Sequence, residues 1–273
     1  MIDDAFRCSV KPLYSADLGT DIVADLLYSL VRMTRPQSLM EIGLGYTTPF
    51  LLKALKDNVQ EICDDKIRVK EGSQSDLRLD VLRKETVNRE YHPSLLAIDD
   101  MSDNDSTAHL VQEVVDDLQL NEWLEFHNGS FEGLTSKLGD KVFDFIWFDC
   151  GGPKEYCDFI SEYWPRLCSD GGVLVLHYTY WHNSTISHRR NQTPLTADVL
   201  TPSPVLREIK RQHGLLGLDS HFEMTSLIEP HKSRQGSVTL LRKVSDKPID
   251  VKESMTEELG GLGFSEPIKP FKL

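Results

Sequence analysis

Basic residues are scarce in this sequence: Lys and Arg number 30 against 43 Asp and Glu, and the formal net charge is −13. A field of that sign repels phosphate backbones, so nucleic acid is not an expected partner. The dense basic stretches, His188-Arg189-Arg190 and Lys232 to Arg234, are short. Long apolar runs are also missing. None approaches the roughly 18 residues of a membrane-spanning helix, and no membrane partner is expected. The first residues, Met1-Ile2-Asp3-Asp4, are acidic where a secretory signal is basic, which makes the cytoplasm the expected location. Five cysteines (Cys8, Cys63, Cys150, Cys157 and Cys168) form no C-x-x-C pair. An odd number without such spacing signals neither a thiolate zinc site nor a disulfide framework, and the thiols are expected to be reduced. What is present is an ordinary globular composition: 273 residues, 40% of them apolar, enough to bury a core.

The apolar pattern divides the chain. Leu18, Ile22, Leu26 and Leu30 recur every four residues and predict a helix over 17–33, closed by Pro36. Residues 38–42 are too short for a helix and run into Gly43-Leu44-Gly45, which predicts a buried strand ending in a tight turn, then a helix over 47–55. The charged stretch 56–93 reads as an insertion with one further surface helix. Strands are predicted at 95–98, 124–127, 142–148 and 173–176, with helices over 107–120 and 154–168 between them. Strands apolar throughout, alternating with helices, imply a doubly wound α/β fold with helices on both faces of a mostly parallel sheet. A loop over 178–204 is long enough to be lid-like. A helix over 205–212 follows, then two strands at 222–228 and 237–242 joined by a turn, and a polar surface tail over 245–273. The expected organisation is an N-terminal helical cover (1–36), a main domain (37–244) and the tail.

In such sheets ligands sit beyond the carboxyl ends of the strands, near the point where strand order reverses. The first strand end, Glu41-Ile42-Gly43-Leu44-Gly45-Tyr46-Thr47, offers two glycines for a close backbone approach and the start of a helix for an anion. The second offers Asp99 and Asp100, and the two oxygens of Asp99 suit a pair of ribose hydroxyls. A nicotinamide fingerprint places that acid about 20 residues after its glycines. Asp99 follows Gly45 by 54 residues, and Thr48 stands where the third glycine would be. Both departures weigh against a dinucleotide enzyme.

Together these strand ends resemble the class I S-adenosylmethionine-dependent methyltransferases, most closely their small-molecule O-methyltransferase branch, over residues 36–243. The resemblance implies a Rossmann-like sheet of seven strands whose last two form a hairpin, and S-adenosylmethionine as cofactor. Glu41, Gly43, Gly45 and Thr47 match the family's first motif, implying a cradle for the methionine part, and Asp99 matches the ribose ligand. Gly129-Ser130-Phe131 falls where the family often has Gly-Asp beside the adenine, with Ser130 in place of the acid. Residues 143–149 match the fourth strand, ending at Asp149 near the transferred methyl. Metal-dependent members pair that Asp with Asp-Asn after the fifth strand. Here His177-Tyr178 stands instead, so no metal is expected.

His177 is then the candidate general base, since an imidazole titrates near working pH. Asp149 is the alternative base or its orienting partner, and Tyr178 is placed beside them. Tyr180, Trp181 and His182 are candidate acceptor contacts, as is Tyr14, because the family's N-terminal segment often closes that pocket. The expected reaction is metal-free O-methylation of a small molecule. The alternatives are N- or C-methylation, transfer of another part of the cofactor, a nicotinamide-dependent oxidoreductase with a degenerate fingerprint, or a non-catalytic cofactor-binding module. A homodimer is in keeping with the branch. Asp99→Ala is expected to abolish cofactor affinity and leave the fold intact.

Overall fold

The computed structural model describes residues 2–16, 18–71, 81–82, 87–103, 106–182, 200–215, 222–229 and 237–244. Helix α1 (Asp4–Val10) begins at Asp3, whose side chain accepts the Phe6 amide at 2.8 Å, and buries Phe6 and Val10. Helix α2 (Asp21–Thr34) follows, ending where Arg35 turns left-handed. Strand β1 (Ser38–Ile42) leads to α3 (Thr48–Glu71). Then come β2 (Ser94–Asp99), α4 (Ala108–Asp117), β3 (Leu124–Asn128), β4 (Phe145–Phe148), α5 (Pro153–Tyr163) and β5 (Val173–His177). A short antiparallel pair, β6 (Tyr180–His182) and β7 (Leu200–Pro202), precedes α6 (Pro204–Leu215), β8 (Phe222–Leu227) and β9 (Val238–Lys243).

Among the described residues, seven strands form one sheet in the order β3-β2-β1-β4-β5-β9-β8. The first five are mutually parallel, while β9 runs antiparallel to β5 and to β8. This is the expected doubly wound, Rossmann-like architecture with a terminal hairpin. Strand order reverses between β1 and β4, which opens a crevice at their carboxyl ends.

The central strands β1, β2, β4 and β5 are buried along nearly their whole length and mostly apolar because both faces are covered, whereas the edge strands β3 and β8 keep exposed polar positions. Leu39, Leu95, Ala97, Phe145, Trp147 and Val175 face the core shared with α1 to α4. The residues between them, Met40, Ile42, Leu96, Ile98, Ile146, Phe148, Leu174 and Leu176, face the other core, built with α5 and α6. This is the period-2 alternation of a strand with two buried faces.

Three elements differ from the sequence reading. In α2 the buried stripe is Val23, Ala24, Leu27 and Val31, whereas Leu18 and Ile22 are 40% and 53% exposed. Both sets have helical spacing, and the smaller residues face inward because α2 packs closely on α3. Helix α3 does not stop near residue 55 but continues to Glu71, taking up residues 56–71 of the expected insertion. Its buried stripe runs on through Asn58, Ile62 and Asp65, so two polar side chains interrupt the apolar pattern. Asn58 is accommodated by bonding across to α2: its Nδ2 donates to the Val31 carbonyl at 3.0 Å and its Oδ1 accepts from Arg32 at 2.6 Å. Finally, the expected loop over 178–204 is pinned at both ends by the β6–β7 pair. Its centre (183–199), most of 72–86 and the tail lie outside the described residues. No described helix is long and apolar enough to cross a membrane.

Candidate active site

The crevice is fixed by backbone bonds between strand ends. The Gly43 amide donates to the Ile98 carbonyl, the Asp149 amide to the Ile42 carbonyl, and the Gly129 amide to the Asp99 carbonyl, each at 2.9 Å. Gly43 has φ +93°, and a Cβ there would lie 2.4 Å from the Asp149 carbonyl oxygen. Only glycine lets β1 and β4 approach this closely while the chain turns. Asp99 holds the turn that follows: one carboxylate oxygen accepts the Leu44 amide at 2.8 Å and the other the Met101 amide at 2.7 Å. Asp99 is therefore a structural clasp on the glycine turn as well as a candidate ligand. An Ala there would free two amides, so Asp99→Ala is expected to cost stability at this turn as well as cofactor affinity.

Beyond these turns lies a cavity of about 600 Å³, within the range of small-molecule sites. Of the sequence-predicted residues, Gly43, Gly45, Thr47, Asp99, Asp100, Ser130, Phe131 and Asp149 line it. Asp100 accepts the Ser102 amide, and its bonding to Ser102 holds its carboxyl below the usual range. Cys150 also lines the cavity, but burial pushes its thiol up, so it stays neutral.

Glu41 does not reach the cavity wall. It is fully buried behind it, where its Oε1 accepts the Thr47 hydroxyl at 2.7 Å, and Trp147 Nε1 donates to that same hydroxyl oxygen at 3.3 Å. The other oxygen, Oε2, has no hydrogen-bond partner among the described residues. Burial pushes the Glu41 carboxyl up to about 8. The bond from Thr47 and the nearby Thr48 hydroxyl oppose this shift, while the negative charges of Asp149 and Asp99 add to it.

His177, at the end of β5, is also buried and stands behind Asp149. Its Nδ1 lies 2.5 Å from Asp149 Oδ1, its ring rests against Trp147 with centroids 5.3 Å apart, and its carbonyl accepts the Tyr156 hydroxyl. Burial works against the imidazolium, but the Asp149 charge, the hydrogen bond to Asp149 and the Gly19 backbone outweigh it and raise the His177 pKa. Nε2 is buried and turned towards the Gly19 backbone. Leu18 and Thr20, on either side of Gly19, line the cavity, so the segment before α2 borders both His177 and the ligand space.

The remaining predicted residues are more scattered. Tyr178, at φ +52°, follows His177 but is not part of the cavity lining. Tyr14 is 45% exposed and meets Tyr46, a lining residue, edge to face at 5.7 Å. Tyr180 is buried elsewhere, with Lys210 at its hydroxyl and over its ring. The side chains of Trp181 and His182 lie outside the described residues. Sequence reasoning missed Leu18, Thr20, Tyr46, Glu155 and Trp147. Tyr46 sits inside the glycine turn and Trp147 two residues before Asp149, so a period-2 reading of β4 places Trp147 on the face of Glu41. Nothing local marks residues 18–20 as site-forming.

Compared with known proteins, residues 40–179, just over half of the chain, match the profile described as a methyltransferase domain. The chain belongs to that family. No curated protein matches it. Among solved structures it is similar to the O-methyltransferase TomG of Streptomyces achromogenes, involved in tomaymycin synthesis and solved in complex with SAM. The two share 15% identity over 90% of this chain and 92% of that one, with a TM-score of 0.53. It is also similar to an O-methyltransferase of Bacillus cereus solved with SAH, at 13% identity over 89% and 92% of the two chains and a TM-score of 0.53. At these identities the likeness is one of fold.

Proposed function

We propose that the chain is an S-adenosylmethionine-dependent methyltransferase that methylates a hydroxyl oxygen of a small molecule, with the His177–Asp149 pair taking up the proton. The observation that carries this reading is the pair itself, held 2.5 Å apart with Asp149 in the wall of a cavity built on the glycine turn and His177 buried behind it. Solved O-methyltransferases of like fold hold SAM or SAH, which supports the same cofactor here.

The residues present fit that cofactor. The cavity is large enough, and each Asp99 oxygen that accepts a backbone amide keeps a second lone pair for a ribose hydroxyl. The amides that open α3 suit a carboxylate. Ser130 and Phe131 line the part of the wall after β3, suited to the adenine. When bound, S-adenosylmethionine supplies a methyl group on a positive sulfur, open to in-line displacement by oxygen.

Nε2 is buried towards the Gly19 backbone, so the pair meets the acceptor through Asp149, which lines the cavity, with His177 Nδ1 behind it. The acceptor hydroxyl gives its proton to the Asp149 carboxylate, which shares it with Nδ1 of the neutral imidazole, so the proton ends on the pair. Asp149, which lines the cavity, also fixes where the hydroxyl sits. A histidine at the end of β5, where a carboxylate would serve a hard cation, supports a metal-free route. The segment 18–20 bounds the acceptor's place.

The test is incubation with S-adenosylmethionine and a panel of small hydroxylated acceptors, following S-adenosylhomocysteine. Turnover by the wild type and a loss of about 10² or more in His177→Gln, with cofactor affinity unchanged, is expected. Methylthioadenosine as the product would overturn methyl transfer. A fully active His177→Gln would overturn the assigned pair.

A further inference from the structure

Glu41 stands at the base of the glycine turn, and among the described residues no cation pairs with it: His177, on the same face of the sheet, pairs with Asp149 instead. The carboxylates whose fields reach it are Asp149, from the end of β4, and Asp99, from the end of β2, both negative. From the start of α3, Thr47 and Thr48 offer hydroxyls. From β4, Trp147 offers only its indole N–H, already given to Thr47. Two acids at the cavity wall and a third buried behind them make a site that repels its own full ionisation, and the group farthest from water yields first. The free oxygen of Glu41 marks the unmet half of that arrangement.

We propose that Glu41 holds a proton in the ligand-free protein and releases it to solvent when a cationic ligand enters the cavity, so that cofactor binding and Glu41 ionisation are linked. The inference rests on S-adenosylmethionine being that ligand. Its sulfonium and ammonium offset the charges of Asp99 and Asp149 and set positive charge beside the wall, opposing the burial and repulsion that keep Glu41 neutral. Once ionised, Glu41 accepts the Thr47 hydroxyl more strongly and so stiffens a residue of the cavity wall. Glu41 is thus a positioning residue that acts through Thr47. By reciprocity, cofactor affinity rises with pH across the Glu41 titration.

Calorimetric titration with S-adenosylmethionine near pH 7, repeated in buffers of different ionisation enthalpy, reads the proton count directly. The wild type is expected to release the larger part of one proton per cofactor. Glu41→Gln keeps an oxygen for Thr47 and is expected to release markedly less than the wild type and to lose the rise in affinity across the Glu41 titration, leaving only the contribution of the His177–Asp149 pair. An independent reading on the wild type alone is loss of a protonated-carboxyl band from the infrared difference spectrum on binding. Binding without proton release, or equal release by Glu41→Gln, would overturn the linkage and leave the cofactor reading standing. Absence of binding to the wild type would overturn both.

Discussion

Gly43→Ala is the most direct probe of the crevice. A methyl group at this position would sit 2.4 Å from the Asp149 carbonyl oxygen, at a backbone φ of +93°. A left-handed backbone costs a residue with a Cβ about 1–2 kcal/mol. Relieving the overlap requires β1 and β4 to part by roughly half an ångström or more, an overpacking strain of about 1–3 kcal/mol. The neighbouring bond from the Asp149 amide to the Ile42 carbonyl, at 2.9 Å, lengthens with it. The total is about 3 kcal/mol, which in a domain of this size lowers Tm by roughly 6–12 °C without unfolding it at room temperature. The same displacement moves Asp149 away from the glycine turn, so cofactor affinity falls as well. Differential scanning fluorimetry with and without S-adenosylmethionine measures both effects. A variant that melts within a degree or two of the wild type and keeps its ligand-induced shift would refute the close approach.

The remaining predictions concern the side chains. Asp99→Ala is expected to lose both cofactor affinity and stability, because the Leu44 and Met101 amides lose charged acceptors worth about 1.5–3 kcal/mol each when buried, and less here because Asp99 is partly exposed. A variant with wild-type Tm would show that the clasp is not structural. His177 must be neutral for the pair to take the proton, and its pKa is raised, so log kcat is expected to rise with pH and level off only above the ordinary imidazole value of about 6.5. In Asp149→Asn the rising limb shifts to lower pH. A limb that stays in place would contradict the pairing. For stability the sign is opposite: the contribution of protonated His177 is complete below about pH 6.5 and is lost as pH rises through the raised folded value. Urea midpoints of wild type and His177→Gln, compared across that window, check it.

Much of the fold was legible because the central strands β1, β2 and β4 carry apolar residues on both faces and end in or run into a glycine or an acid. Gly43, Asp99 and Asp149 declare themselves through that local pattern. The errors have specific causes. Helix α3 looked short because Asn58 and Asp65 occupy its buried stripe, and the partners of Asn58, Val31 and Arg32, are distant in sequence. The face of α2 was misjudged because Leu18, which lies before the helix at the cavity, and Ile22, which points to solvent, both keep helical spacing with Leu26 and Leu30. Glu41 was read as a cofactor contact, but it precedes Ile42 by one place and so points to the opposite face from it, against Thr47. The nearness of residues 18–20 to His177 is a tertiary fact, fixed by how the N-terminal helices lie across the sheet, and no local spacing encodes it.

The central claim is that the crevice between β1 and β4 is an S-adenosylmethionine site. Calorimetric titration of the purified protein with S-adenosylmethionine, and separately with NAD, tests it most directly. The account predicts saturable binding of S-adenosylmethionine alone, at one site per chain. Binding of NAD, or of neither, would contradict it.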